Sequence, residues 1–270
     1  MNAEAARAGE SWRVVRLDAV DSTNDEARRR ALAGDPGRLW IVADRQSAGR
    51  GRRGRAWISC AGNLHASALL IDPCPTAISP QLGFVAGVAL ARAVEEAGAE
   101  ARLKWPNDLV AGGGKCAGLL VEGVTLAGGG FGCVIGVGVN CASAPEGVGY
   151  PVGVLADRFG FPISHEGMLT RLVAQFDRAL AEWRAGAGFA FIRDAWLARA
   201  AGLNGHIRVE TAGRGQREGV FEGLDPGGRL LFRGEGGLET IEAGDIWISA
   251  APRDASTARG SATLPREGRD

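Results

Sequence analysis

The stretch ADRQSAGRGRRGRAW, residues 43–57, holds five arginines and three glycines in a chain whose 31 basic and 31 acidic residues otherwise cancel. Glycines let backbone N–H groups approach oxygens closely, and guanidinium groups neutralise carboxylate or phosphate through paired hydrogen bonds. The stretch therefore suits an anion cradle. It also suits a solvated basic turn, or a nucleic-acid arm that the neutral remainder of the chain disfavours. It is not a P-loop, because no Gly-Lys-Ser/Thr follows, and GVGVN is no dinucleotide fingerprint, because no helix start follows its glycines.

Two further stretches carry chemistry. KWPNDL, residues 104–109, sets a cation, an aromatic ring, a rigid turn and an Asn-Asp pair at a strand end, although an Asn-Asp turn needs no function to exist. GGGKCAGLLVEG places Lys115 at the mouth of an apolar strand, aimed at a ligand rather than lying solvated on the surface.

Periodicity supplies the elements that hold these residues. WRVVRLDAV, residues 12–20, reads as a strand, and DSTNDEARRRALAG as a helix with Asp21 or Ser22 as N-cap and acidic residues in its first turn. RLWIVAD and NLHASALLI read as strands, so the basic stretch is the loop between them. Ser79 and Pro80, as N-cap and first helical residue, open a core helix that runs to Gly98. The strand ARLKW, the turn PNDLVAGGG and the strands CAGLLVEGV and GCVIGVGVN make a meander. From Ser164 a helix aligns Met168, Leu169, Leu172, Phe176, Leu180 and Trp183 on one face, and FAFIRDAWLARA is a further short helix. Beyond Gly202, short strands split by DPGG and GEGG point to a small β-barrel, and the polar tail from Pro252 reads as disordered.

Composition is that of an ordinary soluble globular chain, with no secretory leader and no apolar run long enough to span a bilayer, so a cytoplasmic protein is expected. Five cysteines without a C-x-x-C pair and three scattered histidines indicate neither a disulfide framework nor a zinc site.

DSTNDEA, AGRGRRGRAW, GNLHASALL, LKWPNDL, GKCAGLLVE and VIGVGVN stand in the order and spacing of the biotin protein ligase family, which the chain resembles from Trp12 to Ser249. The resemblance implies an α+β fold: a class II synthetase-like mixed sheet with helices packed on it, plus a small C-terminal SH3-like β-barrel. Its divisions would be a tail at 1–11, a catalytic biotin/ATP-binding domain at 12–201, the barrel at 202–250 and a disordered tail at 251–270. The implied reaction joins biotin and Mg-ATP into biotinyl-5′-AMP, then passes the biotinyl group to a lysine of a biotin carboxyl carrier domain.

By position, Ser22, Thr23, Asn24 and Gln46 match biotin contacts. Gly49, Arg50, Gly51 and Arg52 match the loop that embraces biotin and adenylate. Lys115 matches the lysine at the biotin carboxylate and α-phosphate, so Lys115 and Arg50 are the implied catalytic pair, and Gly118 matches a close backbone approach. Lys104, Asn107, Asn140 and Trp57 are implied ATP contacts and Asp108 a Mg²⁺ ligand; Trp57 reads equally as a buried core residue, and the resemblance leaves the cover of the adenine ring open, with Tyr150 a guess. His65 departs from the family's usual tyrosine, and Cys116 from a larger aliphatic. No room stands before Trp12 for a DNA-binding winged helix, so an enzyme that binds neither DNA nor membrane is expected, with a homodimer left open. The rival readings are a lipoate or octanoate ligase of the same fold group and a single-stranded nucleic-acid-binding protein, which should interleave aromatics with its basic residues.

Overall fold

The computed structural model describes residues 11–159 and 163–248, so the expected tails, apart from Ser11, and positions 249–250 lie outside the described residues. Strand β1 (Arg13–Val20) crosses through helix α1 (Thr23–Leu32) to the parallel strand β2 (Leu39–Gln46). Ser22 is the N-cap of α1, and Asp25 and Glu26 occupy its first turn, where the helix dipole favours negative charge. Antiparallel pairing then adds β3 (Leu64–Ile71), β7 (Phe131–Val139), β6 (Gly114–Thr125), β5 (Asp108–Ala111) and β4 (Arg102–Lys104), giving a seven-stranded mixed sheet in the order β1-β2-β3-β7-β6-β5-β4.

The period of two sorts side chains between the faces of this sheet. Trp40, Val42, Ala66, Ala68, Ile135 and Val137 meet helices α2 (Gln81–Glu96), α4 (His165–Trp183) and α5 (Phe189–Leu197) in the main core. Leu39, Ile41, Leu69, Val124 and Val134 meet Ala27 and Ala31 of α1 on the opposite face. Each large apolar side chain fully buried in this way contributes roughly 1.5–3 kcal/mol. A short helix, α3 (Ala156–Phe159), precedes α4, whose N-cap Ser164 accepts from Gly167 N–H at 3.0 Å.

Strands β8 (His206–Thr211), β9 (Gly215–Leu224), β10 (Leu230–Gly234), β11 (Gly237–Ile241) and β12 (Asp245–Ile248) form the C-terminal antiparallel sheet, in the order β11-β10-β9-β8-β12. Its inner residues Ile207, Phe221 and Phe232 join the main core, where the Phe221 ring lies 6.4 Å from that of Trp196. Trp105 Nε1–H donates to Gly228 O at 3.3 Å, tying the KWPND segment to this sheet.

Two expected elements differ. PNDLVAGGG is not all turn: residues 108–111 form β5, because pairing with β6 stabilises a strand too short to announce itself by alternation. Ser79 does not cap α2. The chain already turns helically through Thr76–Ile78 and Ser79, and backbone bonds from Leu82 N to Ser79 O and from Gly83 N to Pro80 O serve the first amides instead of a side chain.

Candidate active site

Residues directly opposite in an antiparallel sheet point to one face. The registers His65↔Gly138, Gly138↔Gly118, Gly118↔Asp108 and Asp108↔Lys104 therefore set one transverse row on the α1 face. Ser67, Gly136 and Leu120 make the adjacent row. Where the row nearest α1 carries Leu69 and Val134, these rows carry glycines, and they floor an open cleft.

Glycine is required by what lies over it. A Cβ on Gly136 would overlap the Asn24 side-chain amide, and one on Gly138 would overlap the Trp57 ring. A Cβ on Gly118 would stand 3.1 Å from both the Trp57 ring and the Lys115 side chain. Trp57 is thus a half-buried wall of the cleft rather than a core residue.

At the α1 end the lining is neutral and hydrogen-bonded. Gln46 Oε1 accepts from Thr23 N–H at 2.9 Å and from Thr23 Oγ1 at 3.0 Å. The fully buried Ser67 hydroxyl lies 2.8 Å from Thr23 Oγ1 and 2.6 Å from Asn24 Oδ1. Asn24 Nδ2 donates to Glu122 Oε2 at 2.6 Å, which fixes the amide's orientation.

The other end is cationic. Lys115 Nζ stands 5.7 Å from the Trp57 ring, 5.6 Å from that of Tyr150 and 2.7 Å from Asp108 Oδ1. The Arg/Gly loop above is a closed hairpin rather than an open arc, with Gly51 N–H bonded to Arg55 O at 2.7 Å and Trp57 N–H to Gly49 O at 2.9 Å. Arg53, at φ +56°, turns it. Arg50 pairs with Asp25 and, at 3.3 Å, with Glu122; the Asp25 hydrogen bond is the main reason its pKa is raised. Arg52 Nη1–H donates to Asn107 Oδ1 at 2.8 Å. Burial disfavours the charge on Arg52 and pushes its pKa down against the attraction of Asp245, and burial does the same to Lys104 against Asp108.

The cleft thus gathers Ser22, Thr23, Asn24, Gln46, Arg50, Gly51, Arg52, Trp57, Asn107, Lys115 and Gly118 of the expected residues. Gly49 is at the base of the hairpin and does not line the cleft; a Cβ there would meet Trp57 O at 2.6 Å. Lys104 and Asp108 continue the row past the cleft. Asn140 is 2 % exposed, and its Nδ2 faces Lys115 O at 3.4 Å and Gly153 O at 3.3 Å, so its amide holds segments beside the cleft rather than lining it. Not anticipated were Ser67, Gly136, Gly138 and the carboxylates Asp25, Glu122 and Asp245. The alternation of VIGVGV on a strand was the one available signal, since it puts both glycines on one face.

Chemically, a neutral hydrogen-bonding pocket opens onto fixed cations, an arrangement for a polar ligand that carries or develops negative charge at one end. Burial pushes the Cys116 and Cys141 thiols up to about 12, so neither serves as an acyl-carrying nucleophile. Among the described residues no helix is long and apolar enough to cross a membrane.

Comparison with known proteins supplies the relatives. The biotin/lipoate A/B protein ligase family model matches residues 17–140, and the biotin protein ligase C-terminal domain model matches residues 202–248. A biotin–[acetyl-CoA-carboxylase] ligase of Paracoccus denitrificans is 42% identical over 86% of this chain and 99% of its own length. The ligase of that name from Mycobacterium tuberculosis is 33% identical over 88% of this chain and 90% of its own. Among solved structures, a biotin protein ligase from Aquifex aeolicus in complex with biotin and ATP superposes with a TM-score of 0.75 at 26% identity, covering 88% of this chain and 99% of that one.

Proposed function

The chain belongs to the biotin/lipoate A/B protein ligase family, and from that premise we propose that its cleft performs the two half-reactions of a biotin protein ligase. The enzyme condenses biotin with ATP to biotinyl-5′-AMP and pyrophosphate, then delivers the biotinyl group to a lysine amine of a biotin carboxyl carrier domain. One observation carries this reading: the neutral Ser22-Thr23-Asn24-Gln46 pocket and the cations Arg50, Arg52 and Lys115 line one cleft over a glycine floor.

A carboxylate is a poor acyl donor until it becomes a mixed anhydride, and its attack on an α-phosphate brings negative charges together. In this reading Ser22, Thr23, Asn24 and Gln46 bind the ureido ring, and Gly136 and Gly138 let the Asn24 amide and the Trp57 ring that line the cleft lie against the sheet. Lys115 stands at the carboxylate and α-phosphate, Arg50 and Arg52 oppose the developing charge, and the hairpin over the cleft keeps water from the anhydride. Trp57, Asn107 and Lys104 serve the nucleotide.

Magnesium, implied by the family, is held through one or two carboxylates together with substrate phosphates, and Asp108, beside Lys115 at the cationic end, would be such a carboxylate; no step is routed through the ion. The partner is a carboxylase carrier domain, and the compartment the cytoplasm. The test is pyrophosphate release with ATP plus biotin against ATP plus lipoate. Faster release with lipoate would assign the chain to the lipoate branch instead.

A further inference from the structure

The loop arginines do not wait in solvent. Asp245, the first residue of β12, meets Arg53 Nη1 at 3.0 Å, Arg55 Nη2 at 3.1 Å and Arg52 Nη1 at 3.8 Å. Arg52 also donates to Gly244 O at 3.2 Å. Asp245 pairs in register with Glu210 of β8, so the C-terminal sheet, not the loop, fixes its position. One carboxylate cannot neutralise three guanidinium groups, and the cluster keeps a surplus of positive charge. Arg53 and Arg55 are 44% and 56% exposed, and ion pairs so exposed exchange easily for another anion.

We propose that Asp245 is a positioning residue for the active-site loop: an internal anion on the C-terminal sheet that holds Arg52, Arg53 and Arg55 until the nucleotide's polyphosphate takes them over. The proposal rests on the reading that this loop receives ATP. It gives the C-terminal sheet a task in adenylation, because a loop held by Asp245 beforehand spares the nucleotide part of the entropy of ordering it.

Limited trypsin digestion of the full chain, with and without ATP plus biotin, tests this in wild type, Asp245→Asn and Asp245→Glu. Without ligand, Asp245→Asn should be cut after Arg52, Arg53 or Arg55 on the order of fivefold faster than wild type, because proteolysis follows the opened population and one exposed ion pair is lost. ATP with biotin should restore protection, and Asp245→Glu should behave as wild type. In turnover the ATP KM of Asp245→Asn should rise several-fold while kcat changes little, whereas a merely structural loss of folded enzyme lowers the apparent kcat and leaves KM in place. Equal cleavage of ligand-free wild type and Asp245→Asn overturns the proposal. Faster cleavage that ATP and biotin fail to suppress overturns instead the reading that the loop receives nucleotide, and the exchange with it. Should Asp245→Asn lower the melting temperature, Arg53→Gln with Arg55→Gln removes the pairs from the loop side. Amide exchange at Gly51 and Trp57, which close the hairpin, then reads the loop, and exchange as slow as in wild type overturns the proposal.

Discussion

Lys115→Ala removes the cation that stands between the Trp57 and Tyr150 rings with Asp108 against its ammonium group. Two costs follow, and they separate. In the free enzyme Asp108, whose side chain is 19% exposed, loses its ion pair and keeps only the weaker attraction of Lys104 and Arg52. Loss of the paired cation from a largely buried carboxylate costs about 1–3 kcal/mol. For a chain of this size that is roughly 2–4 °C of melting temperature per kcal/mol. In the transition state, loss of one fixed positive charge at the reacting groups costs about 2–4 kcal/mol, or roughly 30- to 1000-fold in rate. Adding Asp108→Asn removes the carboxylate's charge but replaces no cation. The double variant should regain most of the lost melting temperature and still release pyrophosphate at the depressed rate. The assay is pyrophosphate release at saturating ATP and biotin, with thermal melting on the same samples. A folded Lys115→Ala protein releasing pyrophosphate within about threefold of wild type, against the larger loss expected for a transition-state charge, would refute the reasoning; so would a double variant that regains activity together with stability.

Gly138→Ala sets a methyl group where the Trp57 ring lies, so tryptophan fluorescence should shift and biotin-dependent pyrophosphate release should fall at least about tenfold, a displacement near 1 Å at a reacting centre being that costly. Ser67→Ala deletes the buried hydroxyl between Thr23 and Asn24, and calorimetry should find biotin binding weaker by about 1 kcal/mol, the net worth of a hydrogen bond; unchanged affinity would remove Ser67 from the pocket's support. Burial holds the His65 pKa below its usual 6.5, opposed by the Cys60 backbone, reinforced by His165 and again opposed by Asp44. The unfolded chain therefore takes up this proton first as pH falls, and stability should drop from pH 6.5 down toward the folded-state pKa. His65→Phe should flatten that part of the melting-temperature profile, and an unaltered profile would exclude His65 as its source.

Chemistry that depends on near neighbours was legible along the chain. Asp21 or Ser22 before an acidic first turn reads as a cap, the apolar face of α4 follows from its spacing of three and four, and glycines between arginines suit an anion grip, though taken alone they suit a solvated turn as well. Lys115 and Arg52 were placed at the site on the same grounds, and the fold brings both to one cleft.

Which acids the arginines pair with was not legible. Asp245 lies 190 residues from Arg55, and Glu122 lies 72 residues from Arg50. No periodicity reaches so far, and a carboxylate on a short polar strand looks like any other solvated acid. Strand β5 was hidden for a related reason, since its stability comes from β6 beside it and not from its own alternation. Asn140 misled because an asparagine at a strand end is chemically suited to a base, and only the carbonyls packed around it reveal that its amide is engaged. The residues that can do the chemistry are a property of the sequence by itself. Which of them share a face, which glycines leave the cleft open and which distant acid holds each arginine were decided by strand register, because register alone turns positions far apart in the chain into a single transverse row.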